Sequence, residues 1–129
     1  MYFRSWSGYN DELVWGAAWL YKATGNKAYL NKAKKYYNDF SLAGKTEKFS
    51  WDGKTVGVHA LMAEFTGDKV YKDSLQAYCD LAVSAPGDPE KSPGGLLWYP
   101  GGPDGQWGSL RYAANTAFIC LQVRPFPFM

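Results

Sequence analysis

Charge of either sign is scarce in excess: fourteen Lys and Arg face twelve Asp and Glu, a net charge of +2. So slight an imbalance argues against a nucleic-acid partner, whose affinity rests on many cationic contacts. Long hydrophobic runs are missing too. No stretch approaches the roughly twenty apolar residues that span a bilayer, and Met1-Tyr2-Phe3-Arg4 lacks the basic start and apolar run of a signal peptide. Two cysteines, Cys79 and Cys120, are too few for a disulfide framework, and their apolar helical surroundings favour buried free thiols over a bridge. The single histidine, His59, has no Cys, His or carboxylate pair beside it in sequence. It reads as a satisfied core or groove-facing residue rather than a metal ligand or a base. Phosphate-binding glycine loops, zinc-ligand spacings and nucleophile elbows are absent.

What remains in abundance is aromatic: six Trp, ten Tyr and seven Phe in 129 residues, a length that suits one domain. Such rings either fill a dense core or, beside turns, stack on the flat faces of sugars. Composition does not separate these uses.

Periodicity predicts five helices, over about 13–24, 27–40, 54–66, 70–84 and 109–121. Asn10 and Asp11 start the first and Gly25-Asn26 stops it. The run Leu13 to Tyr21 contains no charge, which predicts burial on nearly all sides. Helices two and four are amphipathic, with Leu30, Ala33, Tyr37 and Phe40 on one stripe of the second and Lys32, Lys34 and Lys35 on its solvated side. Residues 85–106 are rich in Gly and Pro and predict no helix, with a short extended piece at Gly95 to Tyr99.

An internal repeat underlies this order. Val14, Ala18, Thr24, Gly25, Lys27, Tyr29 and Tyr36 recur at a constant offset as Val56, Ala60, Thr66, Gly67, Lys69, Tyr71 and Tyr78. A period of roughly forty residues is a two-helix unit. Apolar helices alternating with amphipathic ones imply inner and outer layers, as in an all-α toroid, an α/α barrel, or an open solenoid. Five helices do not close a ring, and the proline-broken end at Arg124-Pro125-Phe126-Pro127 suits a partial domain, 1–129, truncated at both ends.

Each apolar helix is preceded by a Trp with polar company: Trp6 with Asp11 and Glu12, Trp51 with Asp52, Trp107 with Arg111. Parallel inner helices would bring the three groups to one rim. Stacking rings with a few charged hydrogen-bonding groups form an oligosaccharide groove. Ser7, Gly8, Asp11, Glu12 and Asp52 could offer oxygens to one Ca²⁺, although spacing alone is accounted for by Asp11 and Glu12 complementing the helix dipole.

The stretches Ser5-Trp6-Ser7-Gly8-Tyr9-Asn10-Asp11-Glu12-Leu13-Val14-Trp15-Gly16, Phe49-Ser50-Trp51-Asp52 with Lys54, and Trp107-Gly108-Ser109-Leu110-Arg111-Tyr112-Ala113-Ala114-Asn115 resemble, in order, glycoside hydrolase family nine. That resemblance implies part of an (α/α)6 barrel belonging to an inverting, extracellular endo-β-1,4-glucanase acting on cellulose or its oligosaccharides. It further implies a structural calcium held by Ser7, Gly8, Asp11, Glu12 and Asp52. Trp6, Trp107 and Arg111 would line the glucan cleft, and Trp51 joins them from its own place at the rim. Two departures stand out. The link Tyr99 to Gln106 is longer than the family's usual one, and the family's catalytic aspartate and glutamate motifs match nothing here, so no catalytic residue is assigned. The alternative is a non-catalytic α/α-hairpin module that holds carbohydrate or protein on its aromatic rim.

Overall fold

A computed structural model describes residues 5–84, 90–99 and 109–123. Within them the chain forms two helical hairpins, α1 (Asn10–Thr24) with α2 (Lys27–Asp39) and α3 (Thr55–Thr66) with α4 (Lys69–Ser84). A small antiparallel pair, β1 (Glu90–Lys91) and β2 (Leu97–Trp98), sets Glu90 opposite Trp98, and a last helix, α5 (Leu110–Leu121), follows. The expected helices are all present within a few residues of their predicted ends, and the extended piece near Leu97 is β2. None of the described helices is long and apolar enough to cross a membrane.

The repeat is physical as well as textual, because the two hairpin turns use the same bonds. Thr24 Oγ1 donates to Leu20 O at 2.6 Å and accepts from Asn26 N at 3.2 Å. Thr66 Oγ1 donates to Met62 O at 2.8 Å and accepts from Asp68 N at 3.0 Å. Gly25 and Gly67 end α1 and α3 in the left-handed conformation, at φ 68° and 69°, where a side chain is disfavoured. The next residue then restarts the chain, Asn26 capping α2 by accepting from Ala28 N at 2.9 Å.

α1 and α3 lie side by side and parallel. Asp11 at the start of α1 meets the backbone N–H of Lys54 at the start of α3, while Lys22 and Glu64 pair at 3.3 Å near their ends. Val14, Ala18, Val58 and Met62 are wholly buried in the core they share, with Tyr37 and Tyr71 packed in from α2 and α4. A second cluster joins Val56, Leu75, Tyr78 and Ile119, bringing α5 against α3 and α4. Each fully buried aliphatic side chain here contributes about 1.5–3 kcal/mol. His59 belongs to the core as expected: it is fully buried, with Nδ1 3.0 Å from the Tyr37 hydroxyl and Nε2 3.0 Å from Lys45 O.

Two expectations are corrected. Cys79 and Cys120 are not free thiols but a disulfide, their Cα atoms 5.6 Å apart across α4 and α5. Cys79 is buried as expected and Cys120 half-buried, but the face-to-face placement of positions 41 apart in sequence depends on how α5 docks. Near-complete burial holds for α3, where seven residues between Thr55 and Met62 are buried, but not for α1. Leu13, Trp19 and Leu20 stay exposed, as do Leu110, Phe118 and Leu121 of α5. The reason is position: α3 has α1, α4 and α5 around it, whereas α1 and α5 each present an outer apolar face that nothing among the described residues covers.

Candidate functional site

The N-terminal ends of α1 and α3 form one rim. Between them the backbone turns tightly at 50–53: Ser50 N donates to Gly53 O at 2.9 Å, and Ser50 Oγ accepts from Asp52 N and Gly53 N at 3.2 and 3.0 Å. The Lys54 ammonium closes the turn from below, donating to Ser50 O at 2.7 Å and Trp51 O at 2.5 Å. A carbonyl cage of this kind fixes the backbone of Trp51 and Asp52 at the surface.

The first segment is then stitched to this turn. Trp6 N donates to both carboxylate oxygens of Asp52, at 3.1 and 3.2 Å, and Ser7 Oγ donates to Asp52 O at 3.3 Å. Ser5 and Gly8 close a local loop through a hydroxyl-to-carbonyl bond, with Gly8 at φ 92°. Asp11 accepts from Lys54 N at 2.5 Å. These bonds bring the backbone of Trp6 to the turn that carries Trp51, and the two tryptophans are 72% and 45% exposed. Such exposure is unusual for Trp, which is ordinarily largely buried.

Arg111 rises from the first turn of α5. Its Nη2 donates to the Tyr112 hydroxyl at 2.7 Å, and the guanidinium lies 4.6 Å from the centre of that ring. Tyr112 is buried edge-on against Tyr99, with ring centres 5.6 Å apart, and the Lys48 ammonium stands 5.2 and 5.4 Å from the two rings. Spacing alone assigned no role to Lys54, Tyr112 or Tyr99; adjacency to Asp52 and Arg111 was the one signal available for the first two. Trp107 lies outside the described residues.

The expected calcium ligands fall in one neighbourhood, with a mixed fit to a cation. Glu12 Oε2 is buried and without a hydrogen-bond partner, and burial first, then the adjoining Asp11 carboxyl, push the Glu12 acid up to about 7. An orphaned carboxylate oxygen beside a second carboxylate is what a hard cation relieves. Asp52 and Asp11, however, already accept backbone N–H groups, and among the described residues no three His, Cys, Asp or Glu are grouped as a metal cluster.

A separate concavity of about 930 Å³ runs along the helix bodies of α1, α3, α4 and α5, bordered by Trp15, Trp19, Ala60, Leu75 and Phe118. It follows the uncovered apolar faces rather than the polar rim.

Comparison with known proteins identifies the family and the fold. Residues 1–126 match the model of glycosyl hydrolase family 9. The chain is 43% identical over 129 residues to endoglucanase B of Cellulomonas fimi, covering 93% of this chain and 12% of that protein. It is 39% identical over 127 residues to endoglucanase A of Bacillus pumilus, covering 93% and 18%. Among solved structures it superposes on an endoglucanase from the termite Nasutitermes takasagoensis with a TM-score of 0.79 at 42% identity, over 91% of this chain and 25% of that one. It also superposes on the cellulase Cel9M of C. cellulolyticum in complex with cellobiose, with a TM-score of 0.78 at 27% identity, over 95% and 28%. The chain thus spans a quarter or so of the structures it matches, and less of the bacterial relatives. Its helices form part of the (α/α)6 barrel of those neighbours.

Proposed function

The chain belongs to glycosyl hydrolase family 9, and from that premise we propose that it supplies one wall of the glucan cleft of an endo-β-1,4-glucanase. The observation that carries this is the exposure of both Trp6 and Trp51 on a rim tied together by the Trp6–Asp52 bonds. Pyranose rings offer apolar C–H faces to such indoles, and their hydroxyls take hydrogen bonds from charged groups such as Arg111. Trp107, three residues before the start of α5, is proposed as a third platform.

Hydrolysis with inversion needs one carboxylate to activate water and another to protonate the leaving oxygen, with space between them for the water. Asp11 and Asp52 are engaged by backbone N–H groups, and we assign neither they nor Glu12 to that pair. The chain by itself binds glucan without cleaving it. Ser7, Gly8, Asp11, Glu12 and Asp52 are proposed to hold a calcium ion, which would neutralise the crowded Asp11 and Glu12 carboxylates and brace the rim. Glu12's unpartnered oxygen supports that reading. The Cys79–Cys120 disulfide supports an extracellular site of action, because such bonds persist in oxidising surroundings.

The test is binding of cellohexaose to the purified protein by calorimetry, beside reducing-end release from carboxymethylcellulose. Binding without release, weakened by Trp6→Ala and Trp51→Ala, is expected. Release of reducing ends would overturn the assignment of no catalytic pair, and absence of binding would overturn the cleft.

A further inference from the structure

Phe49 stands just before the Trp51–Asp52 turn, and its peptide is tied to the helix that carries Arg111. Its carbonyl accepts from Asn115 Nδ2 of α5 at 2.9 Å. Phe49 also packs against the core cluster that contains Tyr78 of α4, whose hydroxyl is buried. That hydroxyl lies 2.7 Å from Thr116 Oγ1, which the Tyr99 hydroxyl also approaches at 3.0 Å, so Tyr78 is itself fixed between α4 and α5. The Phe49 ring completes the joint on the other side. It packs on Trp15 of α1 with ring centres 5.7 Å apart, and it approaches Gly57 of α3 so closely that a Cβ there would lie 2.6 Å from a ring carbon.

We propose that the Phe49 peptide is the joint that sets the height and angle of the Trp51–Asp52 turn relative to Arg111, and that Asn115 is a positioning residue for the glucan-binding rim. The proposal rests on the cleft reading for its function but not for its geometry. One turn of α5 separates Arg111 from Asn115, so a bond from Asn115 to Phe49 relates the cation and the indole platform through about one rigid helical turn. The sugar-binding groups at either end must keep a fixed spacing to engage successive residues of one rigid glucan chain, and loops hold such spacing only when a packed scaffold fixes them. Without the Asn115 bond, the turn at 50–53 would keep its internal hydrogen bonds and its ties to Trp6 and Ser7 yet lose its fixed relation to α5.

The experiment uses Asn115→Asp, which keeps the shape and deletes the donor, and Asn115→Ala, which removes the amide altogether. Asn115→Gln, which retains a donor, is the rescue. Amide hydrogen exchange is followed in peptides covering 49–54 and in those covering α1 and α2, and cellohexaose affinity is measured in parallel. Expected is roughly tenfold faster exchange at 49–54 with α1 and α2 unchanged, cellohexaose binding about tenfold weaker, and partial recovery in Asn115→Gln. Unaltered exchange at 49–54 in either folded variant overturns the joint, as does acceleration shared equally by α1 and α2. If the parent protein binds no cellohexaose, the cleft reading fails while the exchange data still decide the joint.

Discussion

The Tyr37 hydroxyl sits 3.0 Å from Nδ1 of His59, in a core where the imidazole has no exposed surface and no carboxylate partner. Nε2 faces the Lys45 carbonyl, which can only accept, so Nε2 carries the proton and neutral Nδ1 accepts from Tyr37. Burial lowers the His59 pKa below its ordinary 6.5, with the Lys45 carbonyl opposing in part. The folded state therefore binds this proton more weakly than the unfolded chain does. Its contribution is complete above pH 6.5 and is lost as pH falls below that value toward the folded pKa. Thermal unfolding measured from pH 7.5 down to 5 should show a decline of up to about 1.4 kcal/mol per pH unit from this group. The decline should flatten in His59→Gln. Equal slopes in both proteins would assign the acid sensitivity elsewhere.

Gly57 and Gly16 are both helical glycines, and substitution by alanine should move stability in opposite directions. At Gly57 the added Cβ would stand 2.6 and 2.7 Å from Phe49 and Trp15 ring atoms, which are themselves packed together. Gly57→Ala is expected to cost about 1–3 kcal/mol. At Gly16 nothing lies within 4 Å, and Gly16→Ala should add about 0.5–1 kcal/mol from backbone entropy alone. Urea denaturation of the two variants checks the sign, and destabilisation by both would contradict the open environment of Gly16.

The disulfide closes a loop between positions 41 apart and fastens α5 to α4. Replacing both cysteines in Cys79→Ser/Cys120→Ser is expected to cost about 2–4 kcal/mol, and a thiol reductant should lower the melting temperature of the parent protein but leave the variant unchanged. Alkylation followed by mass measurement counts the thiols. Two reactive thiols before reduction would show that the bridge does not form.

Calcium should stabilise the protein through Glu12. With the ion at a hundred times its dissociation constant, linkage adds about 2.7 kcal/mol to unfolding, and chelator should reverse it. Glu12→Gln removes the charge at the orphaned oxygen and should abolish most of the calcium response while leaving the melting temperature in chelator nearly the same. A melting temperature indifferent to calcium in the parent protein would remove the ion from the proposal.

Local chemistry was legible in the residues themselves. The paired hairpin turns could be read from Thr24-Gly25 and Thr66-Gly67 because a glycine at positive φ and a threonine bonding back to the preceding turn act within a few residues of chain. The apolar and amphipathic helices follow from periodicity for the same reason. The uncovered faces of α1 and α5 could not be read this way, since a side chain's apolar character says what it tolerates rather than what neighbour it has. Trp6, Trp51 and Asp52 could be singled out from the sequence, but not the amide-to-carboxylate bonds that tie them together.

The sequence by itself determined the helices, their repeat, the membership of a family and the residues from which a rim can be made. Only the tertiary structure decided which of them meet: Cys79 with Cys120, Asp11 with Lys54, and Asn115 with the carbonyl of Phe49. Those contacts join positions tens of residues apart, and their geometry is set by how whole helices pack, a cooperative outcome that no short window of the chain contains.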